Sequence, residues 1–500
     1  MRYKFQFIIG LFVYLLILEI SLLSCNKNVE EGEQLAKQYC GSCHLLPQPD
    51  ILPKNVWQYS TLPYMGIMLG VSKEIDALEK PLSDYAIMQP GSQMLSDADW
   101  EKIKAYYLEK APMELSHPAY ENLPEKKNMF AVEDLPIGKS NGTIPNFTAV
   151  RIDEKAKKII AGDQSNRVIW TLNSEGKVLN SLEDQNALTH VDGFNGNYLY
   201  TFIGTTTQAN PDVVGSVDAF NVGKISKDVI KSLNRPIEVI AKNLDSNPEE
   251  ELISCEFGFK EGGLSVWKKI GTNWKRNIIT AQTGATHVIA KDLNGDNRLD
   301  LIALFAQGDE RIIKYINKGN LQFDEQILLR FPSIQGTSSF DMGDIDQDGD
   351  LDIVCTAGDN ADFSTIFKPY HGVYVYENSG NFVFKQKNFY QQNGATKVML
   401  GDFDGDKDLD MVSIALFPDV EKRGEEGFIY FENVKKSFQE FSLPIQHLGR
   451  WSVMDTGDVD GDGDLDIVLG SHAVAKFPQG AFDPAWKNAK GLLILRNKTK

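Results

Sequence analysis

Asp344-Ile-Asp-Gln-Asp-Gly-Asp-Leu-Asp352 decides the fold, because other segments in the second half of the chain repeat its pattern. Each copy carries carboxylate or amide residues at positions 1, 3, 5 and 9 and is followed by an apolar, β-rich run. The other full copies are Asp292-Leu-Asn-Gly-Asp-Asn-Arg-Leu-Asp300, Asp402-Phe-Asp-Gly-Asp-Lys-Asp-Leu-Asp410 and Asp458-Val-Asp-Gly-Asp-Gly-Asp-Leu-Asp466. A degenerate copy, Asn243-Leu-Asp-Ser-Asn-Pro-Glu-Glu-Glu251, precedes them.

The spacing of these copies predicts the architecture. They begin at 243, 292, 344, 402 and 458, so the gaps are 49, 52, 58 and 56 residues. Periods of this size are typical of β-propeller blades. Two upstream strand–turn–strand segments, starting near 150 and 192, extend the series to seven units. Seven blades can close a ring, and Leu492 to Asn497 is expected to supply the last strand.

The chemistry of the pattern indicates calcium. Hard cations prefer six to eight oxygen ligands, and alternate loop positions supply carboxylates while position 7 supplies a carbonyl. An EF-hand is excluded because position 12 is not Glu and strands flank the loop. The alternative is an Asp-rich turn without metal. We expect about three to five Ca²⁺ ions, with these ligands: Asp292, Asn294, Asp296, Asp300, Asp344, Asp346, Asp348, Asp352, Asp402, Asp404, Asp406, Asp410, Asp458, Asp460, Asp462 and Asp466.

These segments resemble the FG-GAP/VCBS repeats of integrin-type β-propellers, whose loops bind Ca²⁺. The resemblance implies an all-β propeller over residues 146–500, with the acidic loops joining the first two strands of each blade on one face. On the opposite face, four hydroxyl residues stand six positions before the loops and are expected to be a structural feature of the strand ends. They are Thr286, Ser338, Thr396 and Ser452.

The opposite face also carries the candidates for a catalytic or binding site. Function is concentrated on loops held by a rigid scaffold, and these polar residues could converge at the central mouth. For each of them alone the alternative is a solvated loop residue. The candidates are His287, Asp359, Asp362, Lys368, His371, Lys397, Asp419, Arg450 and His472.

Cys40-Gly-Ser-Cys-His44 is the strongest chemical motif near the amino terminus. C-x-x-C-H is the attachment signature of a c-type haem, in which both thiols bind the haem and the histidine ligates the iron. A thioredoxin-like pair or half of a zinc site is the alternative, but a second C-x-x-C and a βαβ context are absent from the sequence. The motif predicts one covalent haem c held by Cys40, Cys43 and His44.

The surrounding segment resembles a class I cytochrome c. Residues 31–39 are predicted to form a helix leading into the motif, and the stretch from Leu95 to Pro112 is similar to the last cytochrome helix. Ser96 is expected to cap that helix, with Asp99 completing a capping box. The resemblance covers about eighty residues and implies a small all-α cytochrome c domain over 31–112, followed by a linker over 113–145.

The sixth iron ligand has two main candidates. The usual class I spacing favours Met88, which precedes Gln89-Pro90. The run Leu62-Pro-Tyr-Met-Gly66 resembles the Leu-Pro-x-Met-Gly stretch of cytochromes fused to such repeat domains, in which the methionine is the ligand. We therefore favour Met65 over Met88. For any single methionine, packing in the core is the alternative role.

The extreme amino terminus predicts export and a lipid anchor. Arg2 and Lys4 precede an apolar run that ends in Leu22-Leu-Ser-Cys25, which looks like a lipobox. We expect a signal peptide over 1–24, lipidation of Cys25, and a tether over 25–30. A transmembrane anchor is the alternative, and the interior Glu19 disfavours it. The predicted location is the cell envelope, at the outer membrane facing the periplasm or the cell surface.

Composition sets limits on the remaining possibilities. The chain has 500 residues, 42% hydrophobic and 24% charged, so at least two globular domains are expected. The net charge of -18 argues against nucleic acid as a partner, because phosphate binding requires basic patches. The two cysteines outside these motifs, Cys255 and Cys355, are expected to be buried free thiols.

The sequence thus predicts a multidomain chain, an all-α cytochrome c domain followed by an all-β, seven-bladed propeller. The preferred function is electron transfer by a membrane-anchored cytochrome whose propeller binds an unknown redox partner, or a carbohydrate or protein ligand. The alternative is a periplasmic oxidoreductase, resembling sugar or alcohol dehydrogenases, whose propeller oxidises a substrate and passes electrons to the haem. The sequence leaves open whether the chain is an enzyme.

Overall fold

The structure of the protein is a computed structural model. It describes residues 28–77, 90–137, 143–194, 196–208, 210, 212–221, 224–245, 247–258, 260–359, 366–474 and 489–500. The chain divides into two compact units, Met1–Ser116 and His117–Lys500. The predicted signal peptide, Cys25, Met88 and Asp362 lie outside the described residues.

The first unit is a small helical region. Its α-helices are α1 (28–39), α2 (Lys54–Val56), α3 (Leu62–Met68) and α4 (Asp97–Lys110), with a π-helical turn, Trp57–Thr61, between α2 and α3. Short 3₁₀ turns cover Cys40–Ser42, Pro49–Ile51 and Ser72–Ala77.

Close packing of α1 against α4 organises this unit. A Cβ atom added to Gly32 of α1 would collide with the carbonyl oxygen of Lys102 in α4, so the helices can approach this closely only at a glycine. The Ser96 hydroxyl accepts a 3.1 Å bond from the Asp99 N–H and donates one of 2.8 Å to the Asp99 carboxylate. The predicted N-cap at Ser96 is therefore present, while the Asp99 carboxylate bonds the Ser96 hydroxyl instead of the backbone N–H that a capping box requires.

The second unit contains seven four-stranded antiparallel sheets, the blades. Blade 1 contains β2 (Phe147–Asp153), β3 (Lys158–Asp163), β4 (Val168–Asn173) and β5 (Val178–Glu183). Blade 2 contains β6 (Leu188–Phe194), β7 (Asn197–Phe202), β8 (Gly215–Asn221) and β9 (Lys224–Leu233). Blade 3 contains β10 (Pro236–Lys242), β11 (Glu251–Glu256), β12 (Gly263–Ile270) and β13 (Asn273–Thr280).

The remaining blades follow the same order. Blade 4 contains β14 (Ala285–Lys291), β15 (Asp300–Phe305), β16 (Arg311–Asn317) and β17 (Phe323–Arg330). Blade 5 contains β18 (Thr337–Gly343), β19 (Asp352–Ala357), β20 (Gly372–Asn378) and β21 (Phe384–Gln391). Blade 6 contains β22 (Ala395–Gly401), β23 (Asp410–Ala415), β24 (Phe428–Asn433) and β25 (Phe438–Ser442), and a 3₁₀ turn, Gly424–Gly427, precedes β24. Blade 7 contains β26 (Trp451–Gly457), β27 (Asp466–Ser471), β28 (Leu492–Asn497) and β1 (Phe130–Leu135). The prediction of a seven-bladed propeller is confirmed.

Blade 7 closes the ring with a strand from the opposite end of the propeller sequence. In β1, Phe130 pairs with Asn497 and Leu135 with Leu492 of β28. The strand β1 lies within the segment 113–145 that was expected to be a linker, and it takes the outer position expected for 492–497. Upstream of β1, the carbonyl oxygen of Pro124 accepts a 2.9 Å bond from the Ser442 N–H at the edge of blade 6. Residues 124–135 of the expected linker are therefore part of the propeller.

The hydroxyl residues near the starts of the first strands link neighbouring blades. Each bond runs to the backbone carbonyl of the first residue in the next blade. The bonds are Thr148 to Leu188 at 2.6 Å, Thr189 to Pro236 at 3.1 Å, Ser338 to Ala395 at 3.3 Å and Ser452 to Phe147 at 3.0 Å. The last of these bonds joins blade 7 to blade 1. These contacts support the expected structural role of Ser338 and Ser452.

Second strands form the most buried layer of the propeller. Every residue of β11, β15, β19, β23 and β27 is buried. Sheets covered on both faces require such continuous apolar strands. Cys255 in β11 and Cys355 in β19 are fully buried free thiols, as expected.

Candidate metal-binding loops, haem motif and central channel

The four full acidic loops share one backbone conformation. In each, the residues at positions 4 and 6 are left-handed, with φ between +60° and +96°. The position-1 carboxylate accepts N–H bonds from this turn, for example from Gly295 and Asn297 to Asp292, both at 2.8 Å. The left-handed pairs are Gly295 and Asn297, Gln347 and Gly349, Gly405 and Lys407, and Gly461 and Gly463. Backbone bonds to the position-1 carboxylate are thus a shared feature of this turn.

Three of these loops bring carboxylates into a metal-binding arrangement. In each group, three carboxylates offer oxygen atoms within 4.8 Å of one another. The groups are Asp344, Asp346 and Asp352; Asp402, Asp404 and Asp406; and Asp458, Asp460 and Asp462. Among the described residues, one buried carboxylate oxygen in each of these loops has no hydrogen-bond partner, namely Oδ1 of Asp346, Asp408 and Asp464. Clustered carboxylates with unsatisfied oxygens fit a hard, oxygen-seeking cation such as Ca²⁺.

Position 9 of each loop begins the second strand, and burial raises the carboxylate pKa at this position for Asp352, Asp410 and Asp466. Burial raises the pKa of Asp410 to about 7 and that of Asp466 to about 6. Burial and the neighbouring Asp406 also raise the pKa of Asp408, at position 7, to about 6. Carboxylates held this close favour either protonation or a bound cation.

A recurrent asparagine, which the sequence analysis missed, connects these loops to the third strands. The Asn497 N–H donates to Asp466 at 2.9 Å, and its side-chain amide donates to the Phe403 carbonyl in the loop of the preceding blade at 2.7 Å. Asn433 makes the same contacts to Asp410 and Ile345. The available signal was a repeated Asn at each third-strand end: Asn317, Asn378, Asn433 and Asn497.

The loop beginning at Asp292 differs from the other three. Arg298 occupies position 7, and its guanidinium forms an ion pair with Asp296. Position 3 of this loop is Asn294, so the loop lacks the position-3 carboxylate that belongs to each close group in the other three loops. The loop beginning at Asp292 therefore combines one carboxylate fewer among the expected ligands with an internal cation.

In the helical unit, Cys40-Gly-Ser-Cys-His44 directly follows α1. Both cysteines are free, and burial together with the neighbouring Cys43 raises the pKa of Cys40 to about 12. Nδ1 of His44 lies 3.0 Å from the carbonyl oxygen of Leu45, a group that can only accept a hydrogen bond. This contact assigns the proton of a neutral imidazole to Nδ1 and leaves the Nε2 lone pair for a ligand. Met65 is half-buried on α3.

The central channel is surrounded by the first strands of successive blades. Residues from three of these strands form one cluster of polar side chains. Glu238 in β10 lies between His190 in β6 and His287 in β14. Its Oε2 accepts bonds from His287 Nδ1 at 2.9 Å and from the Val288 N–H at 2.7 Å, and its Oε1 is 3.7 Å from His190 Nδ1. Although burial raises it, the interactions with His287, His190 and the Val288 N–H bring the pKa of Glu238 to about 2.

The pKa values of the two histidines of this group are shifted in opposite directions. Burial lowers the pKa of both imidazoles. For His287 the charge and hydrogen bond of Glu238 outweigh burial and raise its pKa, whereas for His190 burial dominates and its pKa is lowered. His287 was a sequence candidate, but Glu238 and His190 were missed, because only the ring brings blades 2, 3 and 4 together.

The other predicted mouth residues occupy separate environments. Lys397 in β22 donates to the Met454 carbonyl at 2.7 Å, and buried Arg450 lies over the Phe417 ring at 5.1 Å. Both side chains therefore make contacts that hold propeller segments together. Of the rest, Asp359 is exposed, Lys368 and Asp419 are buried, and burial followed by Arg450 lowers the pKa of His472 to about 4.

His371 is the most unusual of the predicted candidates. Its side chain is fully buried, and in the described part of the chain neither ring nitrogen has a hydrogen-bond partner. Burial, followed by the charge of Lys368, lowers its pKa well below the ordinary range. The imidazole is therefore neutral at physiological pH.

Among the described helices, none is both long and apolar enough to span a membrane. Comparison with known proteins identifies a family of FG-GAP-like repeats that matches residues 292–355, a stretch containing two of the acidic loops. No curated protein sequence matches the chain. Two similar solved structures are the WD40 repeats of RRP9 and U3-55K, each 9% identical, covering 75% of this chain and 99% of that one, with a TM-score of 0.44. That score is too low to support an argument, so the blade assignment depends on the sheet topology. The chain therefore contains FG-GAP-like repeats within a seven-bladed β-propeller.

Proposed function

We propose that the chain is a membrane-tethered c-type cytochrome that transfers electrons through one covalent haem, with its calcium-binding propeller as a platform for a partner. The observation that carries this proposal is the placement of Cys40, Cys43 and His44 at the end of α1. Two free thiols and an imidazole with an available Nε2 are the groups that hold a c-type haem.

Features of the helical unit support the fit. A helix leads directly into the motif, and α1 and α4 meet at Gly32. The Nδ1 contact of His44 with the Leu45 carbonyl fixes the ring orientation, as such outer contacts do for metal-binding histidines. Met65 would be the sixth ligand, with Met88 as the alternative. Haem, when bound, supplies reversible one-electron chemistry, and a His/Met ligand pair raises its reduction potential.

A lipid at Cys25 would hold the chain at the cell envelope, and the extracytoplasmic attachment of c-type haem is consistent with that location. The predicted location remains the outer membrane, facing the periplasm or the cell surface. The propeller would then present its loops to a redox partner or to a carbohydrate or protein ligand.

Reversible redox titration of the full chain, produced in a host that attaches c-type haem, tests electron transfer. The visible spectrum of the wild type should change reversibly between oxidised and reduced forms. The double variant C40A/C43A should lack this spectrum, whereas C255A should retain it as a matched loss of thiol. A colourless wild type from such a host would contradict the proposal.

Calcium binding by the propeller has a separate test. A ligand that binds only the folded state stabilises it, so removing Ca²⁺ with a chelator should lower the melting temperature. Returning Ca²⁺ should restore it, and Mg²⁺ should do so less well because it requires stricter octahedral geometry. An unchanged melting temperature in chelator would count against occupied loops.

The central channel favours a second candidate function, a substrate-oxidising enzyme that passes electrons to the haem. An imidazole whose Nδ1 is bonded to a buried carboxylate, as His287 is to Glu238, is the arrangement of an oriented proton-transfer group. Reduction of the haem by added sugars or alcohols in the wild type, but not in H287Q, would establish this function. The absence of such reduction with a broad set of substrates would exclude substrate oxidation and leave electron transfer alone as the function.

A further inference from the structure

We infer that the loop beginning at Asp292 holds no calcium ion because Arg298 supplies its cation, so that the propeller has three metal sites. These sites would be the loops beginning at Asp344, Asp402 and Asp458. The inference rests on the proposed binding of calcium by the propeller.

The contrast arises from side chains and not from the backbone. The 292 loop has the same left-handed residues at positions 4 and 6 as the other loops, here Gly295 and Asn297. Its position-1 carboxylate, Asp292, accepts the corresponding N–H bonds. A metal is therefore not needed to explain its conformation, and a change at position 7 would act on an existing loop.

Arg298 is fixed in the position of a counter-ion. Its Nη2 lies 2.5 Å from Asp296 Oδ2, and its Nε donates to the Asn317 carbonyl at 3.1 Å. The second contact anchors the guanidinium to the end of the third strand of the same blade. Asp296 is a position-5 carboxylate, so the arginine is paired with an expected calcium ligand. A divalent ion at this place would be repelled by the guanidinium.

Positions 3 and 7 separate this loop from the other three. It has Asn294 at position 3, which still offers an amide oxygen, and at position 7 the other loops carry Asp350, Asp408 and Asp464 in place of arginine. Asp408 and Asp464 each keep a buried oxygen without a partner, as does Asp346 in the remaining loop. Burial of an unsatisfied carboxylate oxygen is costly unless a cation or proton is present.

A cation also contacts the degenerate loop of blade 3. Lys268 of β12 forms an ion pair with Asp245, at position 3 of that loop. Two loops that depart from the consensus thus have a basic side chain paired with a residue at a ligand position. In the loop beginning at Asp344, the more exposed Lys436 lies farther away, with its Nζ 3.7 Å from Asp346. Among the described residues, no ion pair to Asp402, Asp404 or Asp406 occurs.

The loop beginning at Asp458 is intermediate between these cases, because an arginine from outside the loop contacts two of its carboxylates. Arg496 NH1 lies 3.4 Å from Asp460 and 3.2 Å from Asp466. Its carboxylates at positions 1, 3 and 5 nevertheless stay within 4.8 Å of one another, and Asp464 keeps its unsatisfied oxygen. Arg496 comes from β28, outside the loop, and leaves the acidic group intact.

Calcium stoichiometry of the chelator-treated full chain tests the inference, with Ca²⁺ alone as the probe in calorimetric titration and in metal analysis after dialysis. The wild type should bind three ions, one for each close carboxylate group. Arg298→Asp gives the loop the position-7 residue of the other copies and should raise the number to about four. Lys269→Asp, an equal change of charge on the exposed end of β12, should leave it at three.

The outcomes separate this inference from the proposed function. Four ions in both the wild type and Arg298→Asp would overturn the role of Arg298 while leaving calcium binding intact. No bound calcium in any variant would overturn the proposed calcium binding itself. If Arg298→Asp does not fold, Arg298→Ala removes the same cation and should also bind about four ions, and three ions in folded Arg298→Ala would contradict the inference.

Discussion

Glu238 in blade 3 accepts a 2.9 Å hydrogen bond from Nδ1 of His287 in blade 4. The carboxylate is almost fully buried, while the imidazole is 36% exposed. Both residues belong to first strands, so the bond joins two adjacent blades. It holds an imidazole against a buried carboxylate at the contact between these blades.

Substituting Glu238 by Gln should lower the free energy of unfolding by about 2 kcal/mol near pH 6, because breaking a buried ion pair costs about 3–5 kcal/mol and His287 is partly solvated. The pKa of His287 is raised above 6.5, so its share of the stabilisation is complete below pH 6.5 and is lost as pH rises through the raised value. The share of Glu238, whose pKa is lowered to about 2, persists above pH 4.5. Urea unfolding should therefore show a smaller difference between wild type and variant at pH 9 than at pH 6. An equal difference at both pH values would contradict the ion pair.

His472 should make the propeller sensitive to acid. Its pKa is lowered from 6.5 to about 4, so between these values the unfolded chain takes up a proton that the folded chain does not. Stability must then fall as pH decreases through this window, by about 3 kcal/mol in all. His472→Gln should show a smaller loss of urea resistance between pH 7 and pH 4.5. The exposed His447→Gln is the control, and equal losses in both variants would exclude His472 as the cause.

The interblade asparagines should contribute measurably to stability. Asn497→Ala removes the hydrogen bond from the side-chain amide to the Phe403 carbonyl and leaves that buried acceptor unsatisfied, which costs about 1–3 kcal/mol. Asn180→Ala, on exposed β5, is the matched control and should change stability by less than about 0.5 kcal/mol. Denaturant midpoints of the two variants provide the measurement. Similar midpoints would show that this bond does not hold the blades together.

The identity of the sixth haem ligand is testable if the haem proposal holds. Met65→Ala should lose the spectroscopic signature of a methionine–iron bond and lower the reduction potential, because a His/Met pair raises that potential. Met88→Ala should retain both properties. The reverse result would assign the ligand to Met88.

Much of the propeller could be predicted from the sequence, because its information is local. The left-handed turn between β18 and β19, and its copies, appear as regularly spaced Asp and Gly residues that specify both the loop and the strand that follows. The N-cap at Ser96 is local in the same way. These elements required no knowledge of tertiary neighbours.

The remaining features depend on which distant segments meet. The closing strand β1 looks like a polar linker until β28 provides its partner. Glu238 and His190 have no local motif, and only the ring brings them to His287. Asn497 is one asparagine among many until the neighbouring loop supplies its acceptor. Sequence patterns predicted the individual blades, whereas the contacts between blades form only when the ring closes.

The central claim is that the helical unit carries haem through Cys40 and Cys43. Intact mass measurement of the denatured full chain, purified from a host that attaches c-type haem, tests it most directly, because only covalently bound haem survives denaturation. The account predicts one population heavier than the polypeptide by the mass of one haem, and no such increase in C40A/C43A. A wild-type mass equal to that of the polypeptide, or of the lipidated polypeptide alone, would contradict it.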